Sequence, residues 1–180
     1  MLDPAFGYLI IGGIAILFAS AGVHKLRDLA HFTAIFAAYR LLPDEPARRL
    51  AGLIPCLELA VVAALLWTPS RRLGVASGIV LLIAYALALS LNLLRGRRDF
   101  ECGCGAARDS RVISAWMVWR NLFLAAALGI AALPWTRRPF DLTDGLTVAG
   151  GLVVGVTFYA AVDRLLGHVA PKALILRSTS

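Results

Sequence analysis

Three cysteines in 180 residues are too few, and odd in number, to make a disulfide framework. Charge is scarce too: Asp, Glu, Lys and Arg make up 16% of the chain while 59% is hydrophobic, well above an ordinary soluble domain. The start, Met1-Leu2-Asp3-Pro4, has no basic n-region. No cleavage-like site interrupts the apolar block behind it, so that block is expected to stay as a membrane span. No internal repeat or low-complexity segment stands out. Acidic residues number 11 against 18 Lys and Arg, a net charge of +7. In a soluble protein that excess would suggest nucleic acid. Here the basic residues flank apolar blocks, where they face lipid headgroups, so the bilayer is the expected partner and nucleic acid is not.

What is present is a series of apolar runs near the roughly 20 residues that a helix needs to cross a bilayer. Spans are predicted at about 5–23, 50–67, 73–94, 112–133 and 146–166. Between the first two, Leu29, Phe32, Ile35, Phe36 and Tyr39 recur at helical spacing. With Asp28 as a cap and Pro43 beyond the end, they predict a short amphipathic helix over about 28–40, at the interface or folded against the bundle. The last span carries Gly151-x-x-x-Gly155, a pattern that lets another helix approach closely. The expected fold is one all-α, polytopic membrane helix bundle of about five spans plus that interfacial helix.

Parity places the end of span one, the start of span two, the end of span three and the start of span four on one membrane face. His24, Lys25, Cys56, Glu58, Asn92, Cys102, Cys104, Arg120 and Asn121 all fall near that face. Thirteen Lys and Arg lie on that side and four on the other, a bias that puts the N-terminus outside and the 95–111 loop in the cytoplasm. Trp67 and Trp135 are expected at the outer interface.

Cys102-Gly103-Cys104-Gly105 is the sharpest local signal. In an extended chain the two Cα atoms would stand roughly 6.6 Å apart, near the upper limit for a disulfide. A turn at Gly103 shortens that distance, and the strained ring that results is easy to reduce, which suits electron exchange better than bracing. Arg97, Arg98, Arg108 and Arg111 favour thiolates, partly opposed by Asp99, Glu101 and Asp109. Cys56, after the helix-loosening Pro55, reads either as a partner or relay thiol or as a small buried packing residue. A metal site built from Cys102, Cys104, Cys56 and His24 stays open, although Cys-x-Cys is a poor match to common zinc spacing. Glu58 inside a span needs a partner, Lys25 or Arg120, and serves structure or proton shuttling. Asn92 and Asn121 are expected to hydrogen-bond between helices, and His24 to be interfacial.

Together, Ala21-Gly22-Val23-His24-Lys25-Leu26-Arg27-Asp28, Tyr39-Arg40-Leu41-Leu42-Pro43 and Pro55-Cys56-Leu57-Glu58-Leu59 resemble the methylamine-utilisation MauE family. So does Asn92-Leu93-Leu94-Arg95-Gly96-Arg97 leading into Cys102-Gly103-Cys104-Gly105, with Ser114 and Arg120-Asn121 beyond. The resemblance covers about the first two thirds of the chain. It implies a multi-pass protein of the bacterial inner membrane, grouped with the DoxX-like redox-associated membrane proteins. The implied role is thiol–disulfide exchange by Cys102 and Cys104 with a thioredoxin-like, MauD-like partner. That exchange would support maturation of a secreted enzyme, in the family the methylamine dehydrogenase β subunit. A periplasmic partner and a cytoplasmic loop conflict unless the protein carries electrons across the membrane. Two other readings stay open: a non-catalytic scaffold or chaperone for a maturation partner, and a small thiophilic-metal carrier. No cofactor is firmly implied; a bundle with apolar walls could hold a quinone, but no residue pattern specifies one.

Overall fold

The computed structural model describes residues 2–40, 43–96, 114–136 and 138–175. Cys102, Cys104, Arg97 and Arg98, and with them the core of the expected redox loop, lie outside those residues. Every named element among the described residues is helical: α1 (Pro4–Arg27), α2 (Leu29–Ala38), α3 (Asp44–Leu66), a one-turn 3₁₀ helix (Thr68–Ser70), α4 (Arg71–Leu94), α5 (Ala115–Ala131) and α6 (Leu142–Ile175).

Local chemistry sets several of these ends. Asp3 caps α1 by accepting from the Ala5 amide at 2.9 Å, and Pro4 sits at the first helical position, where its missing N–H costs nothing. His24, Lys25 and Arg27 occupy the last turn, where they offset the carbonyl end of the dipole. Asp28 then caps α2 through the His31 amide at 3.1 Å. Arg40 leaves α2 with φ of 46°, a left-handed conformation uncommon for a side chain with a Cβ. α3 begins at Asp44 rather than about 50, with Pro46 in its first turn. α6 continues to Ile175, past the expected end near 166.

Among the described residues, four helical stretches are long and apolar enough to cross a membrane: Pro4–Arg27, Glu45–Leu66, Thr68–Leu94 and Leu142–Asp163. α5, at 17 residues, extends about 26 Å, slightly short of the roughly 30 Å hydrocarbon core. It nevertheless forms with α4 the most extensive helix pair of the bundle. Ile11, Ile14 and Phe18 of α1 meet Val61 and Leu65 of α3, Leu82 of α4 and Leu128 of α5 in the main core. At the other end Ile35 and Tyr39 of the α2 segment pack with Leu89 of α4 and Met117 of α5, so α2 folds against the bundle. Its buried stripe starts at Phe32, because Leu29 is exposed.

The outer surface is apolar: Leu53, Leu73, Val80, Leu87, Phe123 and Phe158 are all more than half exposed. A water-soluble bundle would bury such residues, and a lipid-facing one has no reason to. α6 is the most peripheral helix, with none of its spanning window buried. It leans on α1 through Leu152 against Gly12 and Leu9 against Gly151. Nothing approaches Gly155, so the glycine pair expected to pack a helix does so at Gly151 alone.

At the face carrying the N-terminus, a short stretch of chain ties the bundle together. Leu2 bonds through its amide to the Pro134 carbonyl and through its carbonyl to the Thr136 amide, both at 2.8 Å. Arg138 donates to Asp3 at 2.9 Å and to both oxygens of Asp144 at 2.6 and 2.7 Å. The hydrogen bond from Arg138 holds the Asp3 carboxyl below its ordinary range, and the Thr143 hydroxyl does the same for Asp141. A lowered folded-state pKa adds stability above the ordinary carboxylate pKa that is lost as pH falls through the lowered value. Melting temperature in detergent is therefore expected to drop as pH falls below about 3.8, and Arg138→Gln to flatten that drop. An equal slope in both proteins would show that the clamp is not its source.

Candidate functional site

Apolar helices hold few polar side chains, and a buried one signals a purpose in packing or chemistry. Lys25 of α1 and Glu58 of α3 are 5% and 1% exposed and form a direct ion pair. Lys25 donates to Glu58 Oε1, which also accepts the Tyr85 hydroxyl from α4 at 2.8 Å. The Lys25 ammonium lies 5.2 Å from the ring centres of both Phe32 and Tyr85, within the reach of cation–π attraction. Glu58 Oε2 is buried without a hydrogen-bond partner. Gly22 makes the cluster possible: a Cβ there would sit 3.3 Å from the Pro55 carbonyl and 3.2 Å from Leu59, so a larger residue would push α1 off α3 one turn from Lys25. The pairing expected for Glu58 thus goes to Lys25. Arg120 instead joins Asp163 of α6 at 3.0 Å, both largely buried.

The two asparagines depart from expectation. Asn92, fully buried, donates to the Ala88 carbonyl at 3.0 Å, and Asn121 to the Met117 carbonyl at 2.8 Å. Both bonds run to the residue four positions earlier in the same helix, because each amide lies against its own preceding turn. Asn92 Oδ1, Ser114 Oγ and Trp116 Nε1 are buried with no hydrogen-bond partner among the described residues. These atoms stand at the two roots of the 97–113 segment, the end of α4 and the start of α5.

Cys56 is exposed while Pro55 and Glu58 are buried. Two residues at about 100° each put Cys56 and Glu58 on opposite sides of α3, so the thiol faces out of the bundle and does not join the polar cluster. His24 is half-buried at the end of α1. Tyr85 and Asp163 complete the two clusters and were not singled out in the sequence. Asp163 is an acid one helical turn inside the end of an apolar span, a signal that parity with Arg120 would have exposed.

An apolar groove of about 660 Å³ opens on the outer surface between α1, α5 and α6, edged by the exposed Trp119, Phe123 and Phe158, with Trp116 and Arg120 also lining it.

A family model described as "Methylamine utilisation protein MauE" matches residues 3–135. The chain is similar to the methylamine utilization protein MauE of Paracoccus denitrificans, 37% identical over 145 residues that cover 80% of this chain and 76% of that protein. It is 35% identical to the Paracoccus versutus protein of the same name, covering 87% and 83%, and 31% identical to that of Methylophilus methylotrophus, covering 94% and 90%. No solved structure matches it. The match takes in α1 to α5, the helices that build both the core and the Lys25–Glu58–Tyr85 cluster.

Proposed function

Because the chain belongs to the MauE family of methylamine-utilisation membrane proteins, we propose that it is a membrane thiol–disulfide exchange protein whose working pair is Cys102 and Cys104. In one half of the cycle a thiolate of a thioredoxin-like, MauD-like partner attacks the Cys102–Cys104 disulfide. A mixed disulfide forms, the partner's second thiolate resolves it, and two electrons and two protons move to the pair. The reverse sequence oxidises the pair. The exchange supports maturation of a secreted enzyme, as the family resemblance implies for the methylamine dehydrogenase β subunit, in a bacterial inner membrane.

The observation that carries this reading is the set of unsatisfied polar atoms at the roots of the cysteine-bearing segment. Asn92 Oδ1, Ser114 Oγ and Trp116 Nε1 are buried where α4 leaves and α5 re-enters the bundle. An unmet polar group in an apolar environment costs free energy, and a redox or catalytic role nearby is one recognised reason for such groups to persist. The Lys25–Glu58–Tyr85 cluster lies on the same parity face and fixes α1, α3 and α4 beneath it. Cys56, turned outward on α3, is the accessory thiol in this scheme.

The test is Cys104→Ser in cells that carry the partner. A mixed disulfide through Cys102 is expected to accumulate, visible on non-reducing gels and removed by reductant, and the Cys102→Ser, Cys104→Ser double variant is expected to lose partner turnover entirely. Full maturation of the target enzyme by the double variant would replace this reading with that of a non-catalytic scaffold. Stoichiometric bound metal in protein purified without chelator would replace it with that of a carrier.

A further inference from the structure

Arg71 opens α4 at the face that carries the N-terminus, and unlike its neighbour Arg72, which is exposed, it turns inward. Its guanidinium carbon sits 5.1 Å from the Tyr8 ring centre and 5.0 Å from that of Trp135. Two aromatic faces hold the cation but give it no counter-ion. Its Nε is buried without a hydrogen-bond partner, and its one hydrogen bond is a long 3.4 Å contact to Thr68 Oγ1. At this face the carboxylates of Asp3 and Asp144 are both engaged by Arg138, and among the described residues Arg71 has no ion-pair partner. A guanidinium presents five donors in a planar fork suited to phosphate, and burying one without an anion is unfavourable.

Arg71 also lines a cavity of about 560 Å³ whose other walls are apolar, among them Ile11, Leu65, Phe140, Val148 and Leu152. Gly12 and Gly145 line it as well. A fixed cation at the rim and hydrocarbon walls behind it ask for a ligand with an anionic head and an apolar tail. A free phosphate would pair with the cation but leave the apolar walls behind it unfilled.

We propose that this is a binding site for one anionic phospholipid, its phosphate on Arg71 and an acyl chain in the cavity between α1, α3 and α6. The site is independent of the thiol chemistry and lies at the opposite membrane face from the cysteine segment. It would tie α6, the most weakly packed helix, to the rest of the bundle.

The test uses the full-length protein in detergent micelles. Phosphatidylglycerol and phosphatidylcholine with identical chains are supplied in equal amounts, and retained lipid is counted by native mass spectrometry. One retained phosphatidylglycerol is expected, preferred severalfold, because phosphatidylcholine offers the same phosphate but adds a choline cation that Arg71 repels. Arg71→Gln is expected to bring the ratio near one. Ala149→Phe, which fills the cavity but keeps the arginine, is expected to abolish retention as well. Millimolar inorganic phosphate is expected neither to displace the lipid nor to raise the melting temperature. An unchanged ratio in Arg71→Gln, retention by Ala149→Phe, or full stabilisation by inorganic phosphate alone would each overturn the assignment.

Discussion

Lys25→Met is expected to destabilise the protein by about 3–5 kcal/mol, because it strands the Glu58 carboxylate in an apolar bundle. Glu58 is 1% exposed, and Oε2 already lacks a partner, so its remaining polar contact would be the Tyr85 hydroxyl. The reciprocal change, Glu58→Gln, is expected to cost less, about 1–2 kcal/mol, since a neutral amide keeps a hydrogen-bonding oxygen. Lys25, one turn from the end of α1, can also move its ammonium toward the membrane face. The double variant Lys25→Met, Glu58→Gln is expected to lie near wild type. In general the desolvation of two charges nearly cancels their attraction, and removing one alone is what does harm. Unfolding of all four proteins in mixed micelles measures the cycle. Purely additive losses would mean that the two side chains do not share one interaction in the bilayer-like environment. Partner turnover measured beside stability separates the two roles open to Glu58. Loss of turnover in a stable Glu58→Gln protein would mark it as a proton carrier, and unchanged turnover as a brace between α1 and α3.

That pair was legible in the sequence because ionisable residues are conspicuous in long apolar runs and helix parity says which of them share a face. By that reasoning Glu58 shares a face with both Lys25 and Arg120, and the structure gives the pairing to Lys25. The same reasoning missed Tyr85, since a tyrosine in a span reads as one more aromatic and only the tertiary structure brings it to Glu58. Asp163 was missed because the last span was read for its glycines. Helical spacing identified α2, yet whether it lies on lipid or folds against the bundle depended on partners far along the chain, Leu89 and Met117. The asparagines misled for a local reason: an amide can satisfy itself on its own helix, so a polar residue in a span does not by itself predict a bond to another helix. The glycine pattern of α6 announced a close approach but not its address, and the contact made at Gly151 is with a leucine of α1, not with a second glycine-faced helix. Arg71 passed as one of four basic residues on its side of the membrane. Its isolation from carboxylates is a property of the packed structure, which spends Asp3 and Asp144 on Arg138.

Gly74→Ala is expected to be the most damaging single-methyl addition in the bundle. A Cβ at Gly74 would stand 2.6 Å from the Leu65 amide nitrogen and 2.7 Å from the Ala64 carbonyl carbon. Both are backbone atoms in the last turn of α3, so no rotamer change can make room. α3 and α4 are joined there by only Trp67 and the one-turn helix Thr68–Ser70, which leaves little slack for the two to separate. Overpacking of this kind costs about 1–3 kcal/mol, and the rigid neighbour puts Gly74 at or above the top of that range. Gly78→Ala is the informative contrast. Its nearest atom, at 2.8 Å, is the tip of the Leu128 side chain, which can rotate, so a smaller loss is expected. At Gly129 nothing lies within 4 Å, and the better helix propensity of alanine is expected to leave stability unchanged or raise it by up to about 1 kcal/mol. Melting temperatures should therefore rank Gly129→Ala at or above wild type, Gly78→Ala below it and Gly74→Ala lowest. A Gly74→Ala protein as stable as Gly78→Ala would mean that the α3–α4 contact is looser than described. In that case Leu65 and Val75, which the contact brings into the core, would have to be held there by α1 and α5.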